Sequence, residues 1–183
     1  VNDSADASLF AETNETYEKL AKQFMPGPLT VILPKKDVIP DEVTGGLRTV
    51  AVRCPSNPIA RELIRRSGVP IAAPSANLSG KPSPTCAEHV MQDMDGRIAM
   101  VIDGGECEIG LESTVIAVSG NSANVLRPGA VTPDMLRSAG IAVTVDEAVT
   151  DPAKAGSAPQ SPGMKYKHYA PKAELYLVEG GTA

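Results

Sequence analysis

Apolar residues along this chain recur with two spacings, and their alternation predicts a mixture of helices and strands. Tyr17, Leu20, Ala21 and Phe24 fall three and four residues apart, as on one face of a helix, and Met25-Pro26-Gly27-Pro28 ends it. Leu29 to Leu33 is a short, almost wholly apolar block and reads as a buried strand. A polar loop through Gly45-Gly46 leads to a second strand, Thr49 to Arg53. Asn57 can cap the next helix, with Pro58 in its first turn, Ile59, Leu63 and Ile64 turned inward and Gly68 at its end. Val69 to Ala73 predicts another strand, followed by a loop from Pro74 to Pro84. Thr85 and Glu88 have capping-box spacing ahead of Val90, Met91 and Met94. Strands are expected again at Ile98 to Ile102 and Ser113 to Val118, the latter turning through Ser119-Gly120-Asn121-Ser122 into a hairpin partner, Asn124 to Arg127. Thr132-Pro133 opens a short helix that ends near Gly140, and Ile141 to Val145 reads as a last strand.

Strands interleaved with short helices predict an α/β domain, and the hairpin makes its sheet mixed instead of purely parallel. From Asp146 to Gly163 the composition shifts to Ala, Pro, Gly, Ser and Asp without periodicity, as in a linker. Leu175 to Val178 then begins a new strand with no room to complete a domain.

Composition narrows the picture. Aromatic residues are only 3 % of the 183 and Trp is absent, so the core must be built from Val, Ile, Leu and Ala. A net charge of −5 argues against a strong grip on nucleic-acid phosphates, although a local pocket of donors can still hold ATP. Cys54, Cys86 and Cys107 are widely spaced, which fits a reduced cytosol and neither a disulfide framework nor a zinc site. His89 and His168 are too few for a histidine-rich metal cluster. No apolar run approaches membrane-spanning length and no signal peptide is visible. The chain opens on Val1 in a polar stretch, so a fragment is expected.

Phosphate-loop, dinucleotide and metalloprotease motifs are absent. What remains is a set of small polar loops, each beside a predicted strand end, where ligands collect in open α/β sheets. Pro74-Ser75-Ala76-Asn77-Leu78-Ser79-Gly80-Lys81-Pro82-Ser83 offers hydroxyls, an amide and backbone N–H groups that can cradle a phosphate or ribose, and equally fits a plain turn-rich loop. Gly110-Leu111-Glu112-Ser113-Thr114 could orient a polar substrate or simply lead into a strand. Arg127-Pro128-Gly129 suits an anion, or a surface ion pair. Arg53, closing an apolar strand, invites a partner such as a carboxylate. Asp103-Gly104-Gly105 reads as a metal-holding trio or, more commonly, a turn. Ser75 has no general base nearby and His89 is expected on its helix surface, so a hydrolase triad is unsupported and no catalytic residue is assigned.

Together these stretches match something specific. Pro26-Gly27-Pro28-Leu29-Thr30, Thr49-Val50-Ala51-Val52-Arg53, Ala72-Ala73-Pro74-Ser75-Ala76-Asn77, Glu112-Ser113-Thr114-Val115 and Leu126-Arg127-Pro128-Gly129, in this order between about Thr16 and Ile141, closely resemble the YrdC-like family of threonylcarbamoyl-AMP synthases. Ser161-Pro162-Gly163-Met164-Lys165-Tyr166-Lys167-His168-Tyr169-Ala170-Pro171 resembles the linker of that family's long, two-domain form.

The resemblance implies a cytoplasmic enzyme that joins L-threonine, bicarbonate and ATP into threonylcarbamoyl-AMP and pyrophosphate, with Mg²⁺ on the nucleotide. The product would serve the tRNA threonylcarbamoyl transferase machinery. Family positions for ATP fall on Thr49, Ser75, Asn77, Ser83, Arg127 and Tyr166, and those for threonine on Arg53, Ala73 and Ser113. The implied fold is a twisted, open, mixed sheet with flanking helices. Its N-terminal part is expected to be missing, because the family's Pro-Thr-Glu-Thr-type and Lys-x-Arg motifs do not occur here. The expected organisation is a partial catalytic domain over 1–145, a linker or lid over 146–171 with Tyr166 folding back on the nucleotide, and the start of a C-terminal domain over 172–183. The competing readings are a non-catalytic nucleotide- or RNA-binding module on the same fold and a carbamoyl-transfer domain of hydrogenase maturation.

Overall fold

The strand most continuously apolar in the sequence lies at the heart of the sheet. In the computed structural model, which describes residues 1–150, β1 (Leu29–Pro34) buries every residue from Leu29 to Leu33. It pairs antiparallel with β2 (Thr49–Arg53) and parallel with β3 (Thr114–Ser119). β3 turns back into the antiparallel β4 (Ser122–Arg127), and β5 (Ala142–Val145) adds parallel to β4. The order β2-β1-β3-β4-β5 is a mixed sheet, as the hairpin implied. Strand ends differ from expectation by a residue or two, since the ladder and not the hydropathy sets where pairing stops.

Six α-helices accompany it among the described residues: α1 (Glu15–Phe24), α2 (Asp41–Thr44), α3 (Pro58–Ser67), α4 (Ala87–Met94), α5 (Pro133–Ser138) and α6 (Glu147–Thr150). α1 starts where the Asn14 side chain accepts from the Tyr17 N–H, and it buries Tyr17, Leu20 and Ala21. These join Leu29, Val31 and Leu33 of β1, Ile116 of β3, Val125 of β4 and Leu136 of α5 in the main core. Ahead of α1, Asp3 and Asp6 form a reciprocal capping box on a 3-10 helix, Ser4–Leu9, and Ala7, Phe10 and Ala11 enter the same core. α6 begins the stretch expected as a linker: Asp146 accepts from the Asn124 amide at 3.0 Å and from the Ala148 N–H at 3.0 Å.

On the opposite face of the sheet, among the described residues, Ile32, Val115 and Leu126 form a second, smaller cluster, beside Ala117. Strand register sets a row of side chains across this face: Arg53 opposite Thr30, Thr30 beside Val115, and Val115 opposite Arg127. Four strands thus bring two arginines and a hydroxyl onto one surface.

Three expectations are corrected. Val69 to Ala73 and Ile98 to Ile102 form no strands, and Val69, Ile71, Ile98, Met100 and Ile102 are exposed. Each block has the composition of a strand, but among the described residues β2 and β5 edge the sheet and neither block pairs with them. α3 is capped as expected, Asn57 accepting from the Ile59 and Ala60 N–H groups and Gly68 closing it at φ 70°. Its apolar stripe, however, is not turned into the core: Ile59 is 44 % and Leu63 48 % exposed. Thr85 and Glu88 do not form a capping box either; α4 is entered from Cys86, and the Thr85 hydroxyl instead meets His89 Nδ1 at 3.3 Å.

Candidate functional site

The site begins with a turn that only glycine allows. Past Arg127 the chain doubles back over the entry to β3, and a Cβ on Gly129 would lie 2.5 Å from the Glu112 carbonyl oxygen and 2.6 Å from the Thr114 nitrogen. Thr114 clasps the returning chain, donating from its hydroxyl to the Val131 carbonyl at 2.8 Å and accepting from the Val131 N–H at 3.1 Å. The Thr114 N–H donates to the Pro28 carbonyl at 2.9 Å, which ties the same point to the start of β1. The Arg-Pro-Gly and Glu-Ser-Thr motifs are therefore two sides of one close backbone contact.

Within this frame Arg127 grips Ser113. Its Nε and Nη2 donate to the Ser113 carbonyl at 3.1 and 2.9 Å, and Nη2 also reaches the Ser113 hydroxyl at 3.0 Å. That hydroxyl, on a residue only 5 % exposed, shares a 2.8 Å hydrogen bond with Thr30. The remaining edge of Arg127, through Nη1, pairs with the Glu112 carboxylate, and the Ser83 hydroxyl donates to that carboxylate's other oxygen.

Arg53 stands across the row. Its Nε donates to the Gly27 carbonyl at 3.2 Å, and among the described residues it meets no carboxylate. Gly27 is itself held by a 2.8 Å bond from its N–H to the Cys54 carbonyl, and a Cβ there would meet the Phe24 carbonyl oxygen at 2.5 Å. Partial burial, and then the charge of Arg127, hold the Arg53 pKa below its ordinary value. Two cations close enough to repel mark a surface suited to anions.

The loop between α3 and α4 is anchored at its middle. Asp93 of α4 accepts from the Leu78 N–H at 3.1 Å and pairs with Lys81, and these contacts lower the Asp93 pKa, the Lys81 bond most. Asn77 donates from its amide to the Leu78 and Lys81 carbonyls at 3.0 and 3.1 Å, while its Oδ1 is buried with no hydrogen-bond partner among the described residues. Asp103-Gly104-Gly105 is a turn, with the Gly105 N–H donating to Asp103 at 2.9 Å. His89 is exposed on α4, as expected.

Of the expected ATP positions, Ser83 and Arg127 meet through Glu112; of the threonine positions, Ser113 touches Arg127 and Arg53 faces the same surface. Thr49 shares Arg53's sheet face but opens β2 where Arg53 closes it, about 13 Å along the strand. Ala73 and Ser75 are exposed on the stretch leading to Asn77. Tyr166, with Lys165 and Lys167, lies outside the described residues. Sequence reasoning singled out neither Thr30 nor Glu112 as a site residue. The available signal for Thr30 was one hydroxyl in an otherwise apolar strand. Among the described residues no three acidic, His or Cys side chains gather as a metal cage, and no helix is long and apolar enough to cross a membrane.

Comparison with known proteins follows the same outline. A family model described as telomere recombination (Sua5/YciO/YrdC) matches residues 1–129. A model described as the threonylcarbamoyl-AMP synthase C-terminal domain matches residues 131–183. A threonylcarbamoyl-AMP synthase of Bacillus subtilis is 52 % identical over 167 residues, covering 91 % of this chain and 47 % of the relative. One of Pyrococcus abyssi is 51 % identical over 172 residues, covering 94 % and 50 %. The crystal structure of Pyrococcus abyssi Sua5 complexed with L-threonine superposes with a TM-score of 0.87 at 49 % identity, covering 93 % of this chain and 50 % of that one. The chain thus spans about half the length of the curated relatives it matches.

Proposed function

Because the chain belongs to the YrdC-like threonylcarbamoyl-AMP synthase family, we propose that the whole protein is an L-threonylcarbamoyladenylate synthase. It joins L-threonine, bicarbonate and ATP into threonylcarbamoyl-AMP and pyrophosphate. The observation that carries this reading is the pairing of Arg53 and Arg127 across one sheet face, with the Ser113 and Thr30 hydroxyls between them. The reaction has to bring two anions together, and this face carries two cations. The L-threonine in the Pyrococcus abyssi structure supports the same substrate class.

In the proposed mechanism the threonine amine and bicarbonate condense to a carbamate with loss of water. A carbamate oxygen then attacks the α-phosphorus in line with the departing pyrophosphate. No electron pair passes through a protein side chain, so catalysis is positioning and charge neutralisation. Arg53 receives the threonine carboxylate and Ser113 its polar end, beside Ala73. Arg127 and Ser83 face the phosphates; Thr49, Ser75, Asn77 and Tyr166 complete the nucleotide site. Mg²⁺ bound with the nucleotide would supply charge neutralisation on the phosphates, held chiefly by phosphate oxygens and water, as an ion that keeps part of its hydration shell.

A cytoplasmic location and delivery of the product to the tRNA threonylcarbamoyl transferase machinery belong to the same proposal. The deciding experiment is pyrophosphate release from ATP by the full-length protein. Release that requires both threonine and bicarbonate supports the synthase. ATP binding without release would favour a non-catalytic nucleotide-binding module.

A further inference from the structure

Two donors assigned to the nucleotide, on segments far apart in sequence, converge on a single internal anion. Arg127 closes β4 and Ser83 lies in the loop before α4, yet both spend a donor on the Glu112 carboxylate. The Arg127 and Glu112 side chains are 21 % and 22 % exposed, so the pair is reachable from solvent but shielded enough for its charges to matter. Arg127 needs no carboxylate to hold it in place, because Nε and Nη2 already fasten it to Ser113. What Glu112 occupies is the Nη1 edge that is left over, together with the hydroxyl hydrogen of Ser83. A guanidinium edge and a hydroxyl converging on two oxygens of one anionic group is the arrangement that a phosphate would take.

We infer that Glu112 is a built-in stand-in for the nucleotide's phosphate, filling the Arg127–Ser83 subsite when ATP is absent and yielding it when ATP binds. This rests on the synthase reading, since it takes Arg127 and Ser83 as phosphate ligands. Chemically, the carboxylate offers two oxygens and one charge where a phosphate offers more of both, so the nucleotide displaces it at a cost to affinity. The same competition works after the reaction, when the returning carboxylate helps to expel pyrophosphate. The backbone around Glu112 is locked by the Gly129 contact and the Thr114 clasp, so the movement required is a side-chain rotation.

The test is Glu112→Gln in the full-length protein, which preserves shape, removes the charge and leaves one of the two accepting oxygens. By calorimetry, the variant should bind ATP about tenfold more tightly than wild type, as loss of one competing charge near a phosphate implies. Inorganic pyrophosphate should likewise tighten and inhibit more strongly. A carboxylate that merely supports Arg127 would have the opposite sign, with both ligands weakened on its removal. Glu112→Asp keeps the charge but shortens the reach to Ser83, and should fall between wild type and Gln for both ligands. It also serves if the Gln variant folds poorly by thermal melt. Equal or weaker binding of ATP by the variants, with wild-type binding intact, overturns the stand-in while leaving the synthase reading. Failure of wild type to bind ATP at all overturns both.

Discussion

Arg127 holds Ser113 from two sides at once, its Nε and Nη2 on the backbone carbonyl and Nη2 also on the hydroxyl. A residue proposed for phosphate thereby orients a residue proposed for threonine, and the two substrate sites share one rigid joint. Arg127→Ala should weaken ATP binding by about 2–5 kcal/mol, the range for truncating a buried, hydrogen-bonded charge partner. Arg127→Lys should recover little, because an ammonium cannot reproduce the planar fork that spans Ser113 and the anion. Calorimetry on the full-length variants decides this, and an unchanged ATP affinity would remove Arg127 from the site.

The close approach at Gly129 makes a separate, structural prediction. A methyl group there would press on three backbone atoms, the Glu112 oxygen at 2.5 Å, the Thr114 nitrogen at 2.6 Å and the Ser113 carbon at 2.9 Å. Backbone on both sides cannot swing aside as a side-chain end can. Gly129→Ala should therefore lower stability by about 1–3 kcal/mol, as overpacking does, and disturb Ser113 and Arg127 together. A thermal melt indistinguishable from wild type would show that the turn can open without cost.

How far this was legible in the sequence depended on whether one segment carried the whole message. β1 was legible because a strand buried on both faces is mostly apolar, Thr30 excepted, and α1 because its spacing and the Asn14 cap lie within a single stretch. Val69 to Ala73 and Ile98 to Ile102 have the composition of strands, but a strand also needs an edge to pair with, and neither block meets one among the described residues. The site motifs supplied the right residue types, but not who meets whom. Ser83 and Glu112 are 29 residues apart, and the register shift between Val115 and Ile116 helps to set where Arg127 lands. Arg53 was expected to seek a carboxylate, and local sequence held no sign that Gly27 would supply a carbonyl instead.

Tyr17 connects the core to alkaline stability. Its hydroxyl donates to the Ser4 carbonyl at 2.7 Å, and burial, followed by the negative charges of Cys54, Asp3 and Asp6, pushes its pKa from 10.0 up to about 12. A pKa raised on folding means that the native state favours the protonated phenol. The resulting stability is present in full below pH 10 and is lost as pH rises through about 12. Tyr17→Phe should cost about 1 kcal/mol at neutral pH through the lost hydrogen bond, yet lose less stability than wild type between pH 10 and 12. Denaturant titrations of both proteins across that interval provide the measurement. Parallel curves would mean that Tyr17 is not the group responsible.

Arg53 provides the sharpest separation between the two substrates. It sits on the sheet face that Arg127 shares, with two strands between them, and its partner among the described residues is a neutral carbonyl, which leaves its charge unneutralised there. Burial and the Arg127 charge both disfavour the cation in the free protein. A carboxylate arriving between them relieves that strain, which is a reason for the site to bind an amino acid strongly. Arg53→Ala should then raise the threonine requirement by about thirtyfold or more, the equivalent of about 2 kcal/mol. ATP affinity should change by less than about threefold, because removing Arg53 leaves Arg127 and its contacts with Ser113 in place. Arg53→Lys restores the charge but not the fork and should recover only part of the threonine affinity. Steady-state pyrophosphate release, with threonine and ATP varied separately, reads both dependences from one preparation. If the two rose together, or neither moved, the threonine carboxylate would have to be bound elsewhere.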